Sequence, residues 1–211
     1  MWRDYYLCNY SVFLNIMEVF FIMQKNKQYW NVKTLVFMAL LIAMNIVLTR
    51  IFVIELGPTN RISLGSVCVI LAGLWLGPVA GGVCGLCADV IGCFMKGYGV
   101  NPLITVAAIL WGVIPALAKP LFVNRKKIGK TVGICVSVVV TSALSTLVFT
   151  TAGLVLMYSR NFYEVMSARL IQCAIMTPLY CILTCLLYFS ELTPMIVSNI
   201  RPAALKKRQY N

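Results

Sequence analysis

The chain reads as long apolar runs separated by short polar or glycine-proline breaks. A helix needs about 20 apolar residues to cross a bilayer, and fewer where neighbouring protein covers its ends. Six stretches qualify. The first is Val32–Leu56, ended by Gly57-Pro58, which cannot continue a helix. Ile62–Leu76 is shorter and stops at Gly77-Pro78; Val79–Met95 follows so closely that the Gly-Pro pair predicts a tight hairpin. Pro102–Phe122 opens on a proline suited to a helix N-terminus. Val132–Tyr158 and Phe162–Ser190 complete the set, with a kink expected at Pro178. The pattern predicts an all-α integral membrane protein with six transmembrane helices over residues 31–191.

Two regions flank this domain. Residues 1–30 are apolar but interrupted by Asn9, Asn15 and Glu18, and lack a small-residue cleavage pattern. They read as an N-terminal extension, either an interfacial helix or a mis-assigned start, with Met23 as the alternative initiator. Residues 192–211 read as a basic cytoplasmic tail. Lysine and arginine set the orientation. Lys25, Lys27 and Lys33 precede the first span, Lys119, Arg125, Lys126, Lys127 and Lys130 fill the fourth connection, and Arg201, Lys206, Lys207 and Arg208 close the chain. Six spans place all three clusters on one side, so both termini are expected in the cytoplasm.

Composition narrows the function. Of 211 residues, 61% are hydrophobic and 11% charged, against roughly a quarter charged in a soluble domain. A net charge of +12 suggests nucleic acid, but the cations sit between and after apolar runs, as membrane topology requires. Histidine is absent, which removes the commonest general base and metal ligand. Cys84-Gly-Leu-Cys87 has the C-x-x-C spacing without the second pair of a zinc site or the βαβ context of a redox motif. Cys68, Cys84, Cys87, Cys93, Cys135, Cys173, Cys181 and Cys185 all lie in apolar spans, where cysteine acts as a small hydrophobe. Gly129-Lys130-Thr131 ends like a phosphate-binding loop, but Asn124 stands where that loop needs its earlier glycine. No cofactor, metal or ATP site is expected.

The third span carries the clearest local signal. Gly77, Gly81, Gly85 and Asp89 recur every four residues, beside Ala80, Cys84, Ala88 and Gly92. Small residues at that spacing let helix backbones approach closely in lipid. Asp89 shares the glycine stripe, so it points into the bundle, where it is either paired with an arginine or a helix terminus or used for ligand contact or proton relay. On the outer side, Arg50, Arg61, Lys96, Arg160 and Arg169 outnumber Glu55 and Glu164. This reverses the usual bias and suits collection of an anion. Arg169 lies about two turns inside the last span, roughly 10 Å deep. Thr105, Thr146, Thr150 and Gln172 lie at comparable depth and predict a polar, outward-facing pocket. Trp111, Phe149 and Tyr98 are candidate flat faces for a planar ring. Ala39 and Ala43 on the first span form a flat strip for another helix.

The stretch Asn60–Gly92, with its Arg-Ile-Ser start, Leu-Ala-Gly, Gly-Pro-Val-x-Gly hairpin and Ala-Asp-x-Ile-Gly, resembles the folate-type substrate-binding (S) components of energy-coupling-factor (ECF) vitamin transporters. Ala39-x-x-x-Ala43 is similar to the family's docking motif, and Ala168–Tyr180 to its arginine-then-proline pattern; the likeness runs from Val32 to about Phe189. It implies a non-enzymatic subunit of a bacterial cell membrane that captures a vitamin outside. The subunit would associate with a transmembrane coupling subunit and two cytoplasmic ABC-type ATPases, topple in the membrane and release its cargo inward. Folate, a dianion with a flat pterin, suits a cationic aromatic pocket. Arg61 and Arg169 are then expected at its charges or ring, Thr105, Thr146 and Gln172 in hydrogen bonds, and Tyr98 or Trp111 in stacking. The alternatives are an S component for riboflavin, pantothenate or a queuosine precursor, or a rod-shape-determining scaffold. An enzyme built on Asp89 lacks a second catalytic acid or base.

Overall fold

The computed structural model describes residues 32–56, 60–97, 99–158 and 161–200. The extension over 1–30, the Gly57-Pro58 break, Tyr98, Arg160 and the basic end of the chain lie outside the described residues. In chain order come α1 (Val32–Arg50), β1 (Ile54–Leu56), β2 (Asn60–Ile62), α2 (Ser66–Leu76), α3 (Pro78–Lys96) and α4 (Pro102–Phe122). They are followed by α5 (Lys127–Ser142), a π-helical segment (Ala143–Thr150), α6 (Thr151–Tyr158), α7 (Phe162–Phe189) and α8 (Leu192–Ile200).

Among the described residues, α1, α3, α4, α7 and the rod Lys127–Leu156 are long and apolar enough to cross a membrane. The second expected span differs. As helix α2 it has 11 residues, about 17 Å at helical rise against a hydrocarbon core of about 30 Å. Its residues Val67 to Trp75 are all buried, so protein rather than lipid surrounds it, as expected of a helix apolar on every side. The first span also ends early. Helix α1 stops at Arg50, and Ile54–Leu56 pairs antiparallel with Asn60–Ile62, Glu55 opposite Arg61. The β-branched run Ile51-Phe-Val-Ile suits this ladder better than a helix, and the all-α expectation gains one short hairpin. The residues expected to begin the tail, Leu192–Ile200, are helical, and Trp75 Nε1 donates to Thr193 Oγ1 at 3.0 Å to fasten α8 beneath α2.

Gly77 alone joins α2 to α3. Its φ of 106° is open to glycine, and Pro78 starts the next helix at once. Glycines then bring α2, α3 and α4 together at one crossing. A Cβ on Gly81 would stand 2.6 Å from Gly73 Cα and 2.8 Å from the Gly112 carbonyl oxygen. A Cβ on Gly85 would stand 2.8 Å from the Ala108 carbonyl carbon. Backbones meet here with no side chain between them. At the start of α4, Asn101 caps the helix by accepting from Leu103 N–H at 3.0 Å, and its Nδ2 donates to the Gly153 carbonyl of α6 at 2.9 Å.

Candidate functional site

The later helices pack through hydroxyls. Ser142 Oγ lies 2.7 Å from Thr177 Oγ1 and 3.2 Å from Cys173 Sγ, tying α5 to α7. Beyond Ser142 the backbone widens into the π segment. Thr150 Oγ1 donates to the Ser145 carbonyl at 2.8 Å and Thr151 Oγ1 to that of Thr146 at 3.1 Å, each reaching back five residues. A π segment is rare and recurs at functional sites. Here it carries Thr146 and Thr150 to the wall of a cavity of about 140 Å³.

The rest of that wall comes from three places. Arg169, Gln172, Cys173, Met176 and Tyr180 follow one another at helical spacing along one face of α7. Trp111 enters from α4, and Ser63 and Ser66 from the start of α2. Arg169 Nη1 donates to Gln172 Oε1, so the glutamine amide steadies the guanidinium at the cavity wall. Trp111 and Tyr180 meet edge to face, centroids 5.3 Å apart at 79°, and Tyr180 donates to the Ser63 carbonyl at 2.8 Å. The result is one cationic group, several hydroxyls and two locked aromatic rings around a small polar space. Such a space binds a flat anion through a few directed groups.

Four of the predicted site residues therefore come together: Trp111, Thr146, Arg169 and Gln172. Thr105 does not join them. It is buried on α4 facing α3, and its hydroxyl donates to Asp89 Oδ2 at 2.8 Å. Phe149 is half-buried and is not part of this wall. Arg61 enters through its backbone alone, in β2; its side chain, like Tyr98, lies outside the described residues. Asp89 points inward as expected, with Cys93 Sγ 3.9 Å from its Oδ1. Ala39 and Ala43 lie on the exposed face of α1, opposite buried Met38, Leu41 and Asn45. Sequence reasoning missed Tyr180, whose place eleven residues after Arg169 puts it on the same helical face, and Arg50, which packs on Gly92.

Membrane-length helices around a polar cup define a multi-pass membrane protein that binds a small solute. Comparison with known proteins gives the family. Residues 33–188 match the model for the ECF transporter, substrate-specific component. The chain belongs to that family, and it is a multi-pass protein of a bacterial membrane that works with an ECF module. It is similar to the folate transporter FolT of Clostridium novyi (strain NT), 30% identical over 152 residues, which cover 72% of this chain and 85% of that one. Its fold is similar to a crystal structure of FolT bound with folic acid, with a TM-score of 0.63 and 27% identity over 74% of this chain and 92% of that chain.

Proposed function

We propose that the protein is the folate-binding subunit of an ECF importer and that the cup around Arg169 holds the ligand. The observation that carries this reading is the Arg169–Gln172 pair set beside Trp111 and Tyr180 in one cavity. A fixed guanidinium answers the ligand's carboxylate charge, and the aromatic rings flank its flat part. Thr146 and Thr150 supply hydroxyls whose direction is set by the π-helical backbone. Likeness to FolT supports the choice of folate over other vitamins. A cavity of about 140 Å³ takes a ring system rather than the whole molecule, since pockets for drug-sized ligands run to about 300–1,000 Å³. The remainder of folate then extends toward the segments around Arg61 and Tyr98, on the outer side. Both chain ends face the cytoplasm in this orientation.

Transport needs an engine supplied by partners: a transmembrane coupling subunit and two ABC-type ATPases. The exposed strip of Ala39 and Ala43 on α1, bordered by Val36, Leu40 and Val47, is the surface on which the coupling subunit docks.

Isothermal titration of the detergent-purified protein with folic acid tests the ligand. Saturable binding is expected, and Arg169→Ala should weaken it by about a hundredfold, the loss of a charge-assisted pair. Binding of riboflavin or pantothenate in place of folic acid would overturn the assignment. Ala39→Trp should leave titration unchanged and stop uptake in cells that carry the coupling module; normal uptake removes the docking role.

A further inference from the structure

A second space adjoins the first. Asn45, Thr49 and Arg50 of α1, Asp89 of α3 and Trp111 of α4 line a volume of about 120 Å³. Ser66 and Trp111 line both spaces, so these two side chains form the partition between them.

The charges of this second space are incompletely matched. Arg50 Nε is buried without a hydrogen-bond partner among the described residues, and Nη2 makes only a 4.0 Å approach to Cys93 Sγ. Gly92 leaves room for the guanidinium, since a Cβ there would come within 2.5 Å of Nε. Asp89 accepts from Thr105 through Oδ2. No ion pair joins Arg50 to Asp89 among the described residues, although both line the same space. A guanidinium has five donors and a carboxylate about four acceptor sites, so most of this capacity is open. Buried polar groups left in that condition destabilise a protein until something bonds them.

The pair selects what that something is. A free anion is repelled by Asp89 and a cation by Arg50. A neutral group that offers donors and an acceptor side by side satisfies both. The amino-oxo edge of a fused heterocycle does so: its exocyclic amine and ring N–H donate to the carboxylate, and its carbonyl accepts from the guanidinium. The volume matches one small ring system rather than a chain with ends of its own.

We infer that the Arg50–Asp89 space is a head-group subsite for a neutral amino-oxo heterocycle, and that the ligand lies across the Ser66–Trp111 partition with its anionic end at Arg169. This rests on the folate reading and adds to it an orientation and a second set of recognition residues. Asp89 and Arg50 read the ring, Arg169 reads the charge.

Competition against labelled folic acid tests the subsite, with hydroxymethylpterin carrying the ring alone and p-aminobenzoylglutamate the charge alone. In Asp89→Asn, which keeps an oxygen for Thr105, affinity for folic acid and for hydroxymethylpterin should each fall about tenfold or more, while p-aminobenzoylglutamate competes as in the wild type. Arg169→Gln should reverse the pattern. Arg50→Lys, which retains the charge, reads the same outcome on the ring fragment if Asp89→Asn does not accumulate. Equal weakening of both fragments by Asp89→Asn, or no effect on either, overturns the subsite, as does failure of hydroxymethylpterin to compete for the wild type. A wild type that ignores folic acid fails the ligand reading itself. One that binds folic acid with Asp89→Asn and Arg50→Lys unaltered fails the subsite alone.

Discussion

The two halves of the bundle solve the same packing problem by opposite means. Where α2, α3 and α4 cross, Gly73, Gly81, Gly85 and Gly112 remove side chains so that backbones touch. Where α5, the π segment and α7 meet, Ser142, Thr177, Thr146 and Thr150 keep theirs and join through hydroxyls. In lipid there is no hydrophobic drive between helices, so close contact or hydrogen bonding must hold them together. Close contact fills the interface; hydroxyl contact leaves polar space beside it. The first half is therefore a frame and the second a recognition wall, with Trp111 and Asp89 projecting from the frame toward the wall's side of the molecule.

Substitutions on each side separate these roles. The largest effect is expected for Gly81→Leu, which drives a branched side chain into the backbones of both Gly73 and Gly112. Overpacking of this kind costs about 1–3 kcal/mol when side chains can yield, and here only backbone can move. Size-exclusion chromatography should show no folded monomer; a monodisperse peak would mean the crossing is softer than its geometry. Thr146→Leu comes next. It replaces a hydroxyl at the cavity wall with an alkyl group and should lower folic acid affinity about tenfold, with the melting temperature unchanged. A loss of stability equal to that of the glycine variant would erase the distinction between frame and wall. The smallest effect belongs to Ser142→Ala, which removes the 2.7 Å contact with Thr177. Thermal unfolding should report a loss of about 1 kcal/mol.

The same contrast explains what sequence reading reached. A stripe repeating every four residues exposes itself, so Gly77, Gly81, Gly85 and the inward turn of Asp89 were legible along one helix. The partners Gly73 and Gly112 were not, because nothing local says which helices cross there. Arg169 and Gln172 were legible as deep polar residues three apart, and their helical face also carries Tyr180. Thr105 went astray for a physical reason. Depth along a helix gives height in the membrane but not rotation about the bundle, and Thr105 faces Asp89 rather than the cup. The early end of α1 was hidden because an apolar β-branched run fits a span and a strand equally. The π segment was hidden too, since a hydrogen-bond shift of one residue leaves no period in the hydrophobic pattern; the threonines at 146, 150 and 151 were its faint sign.

That segment fixes more than the two hydroxyls it displays. The widened turns absorb an extra residue between the lower and upper parts of the fifth rod, so the face that α6 offers depends on it. Excising one residue from Ala143–Thr150 would restore ordinary winding and swing α6 by about 100° about its axis. Thr151 and Gly153, now buried, the latter against Asn101, would be turned out of the interior. A one-codon deletion there would thus act as a dial on the upper half of the rod while leaving its lower half in place.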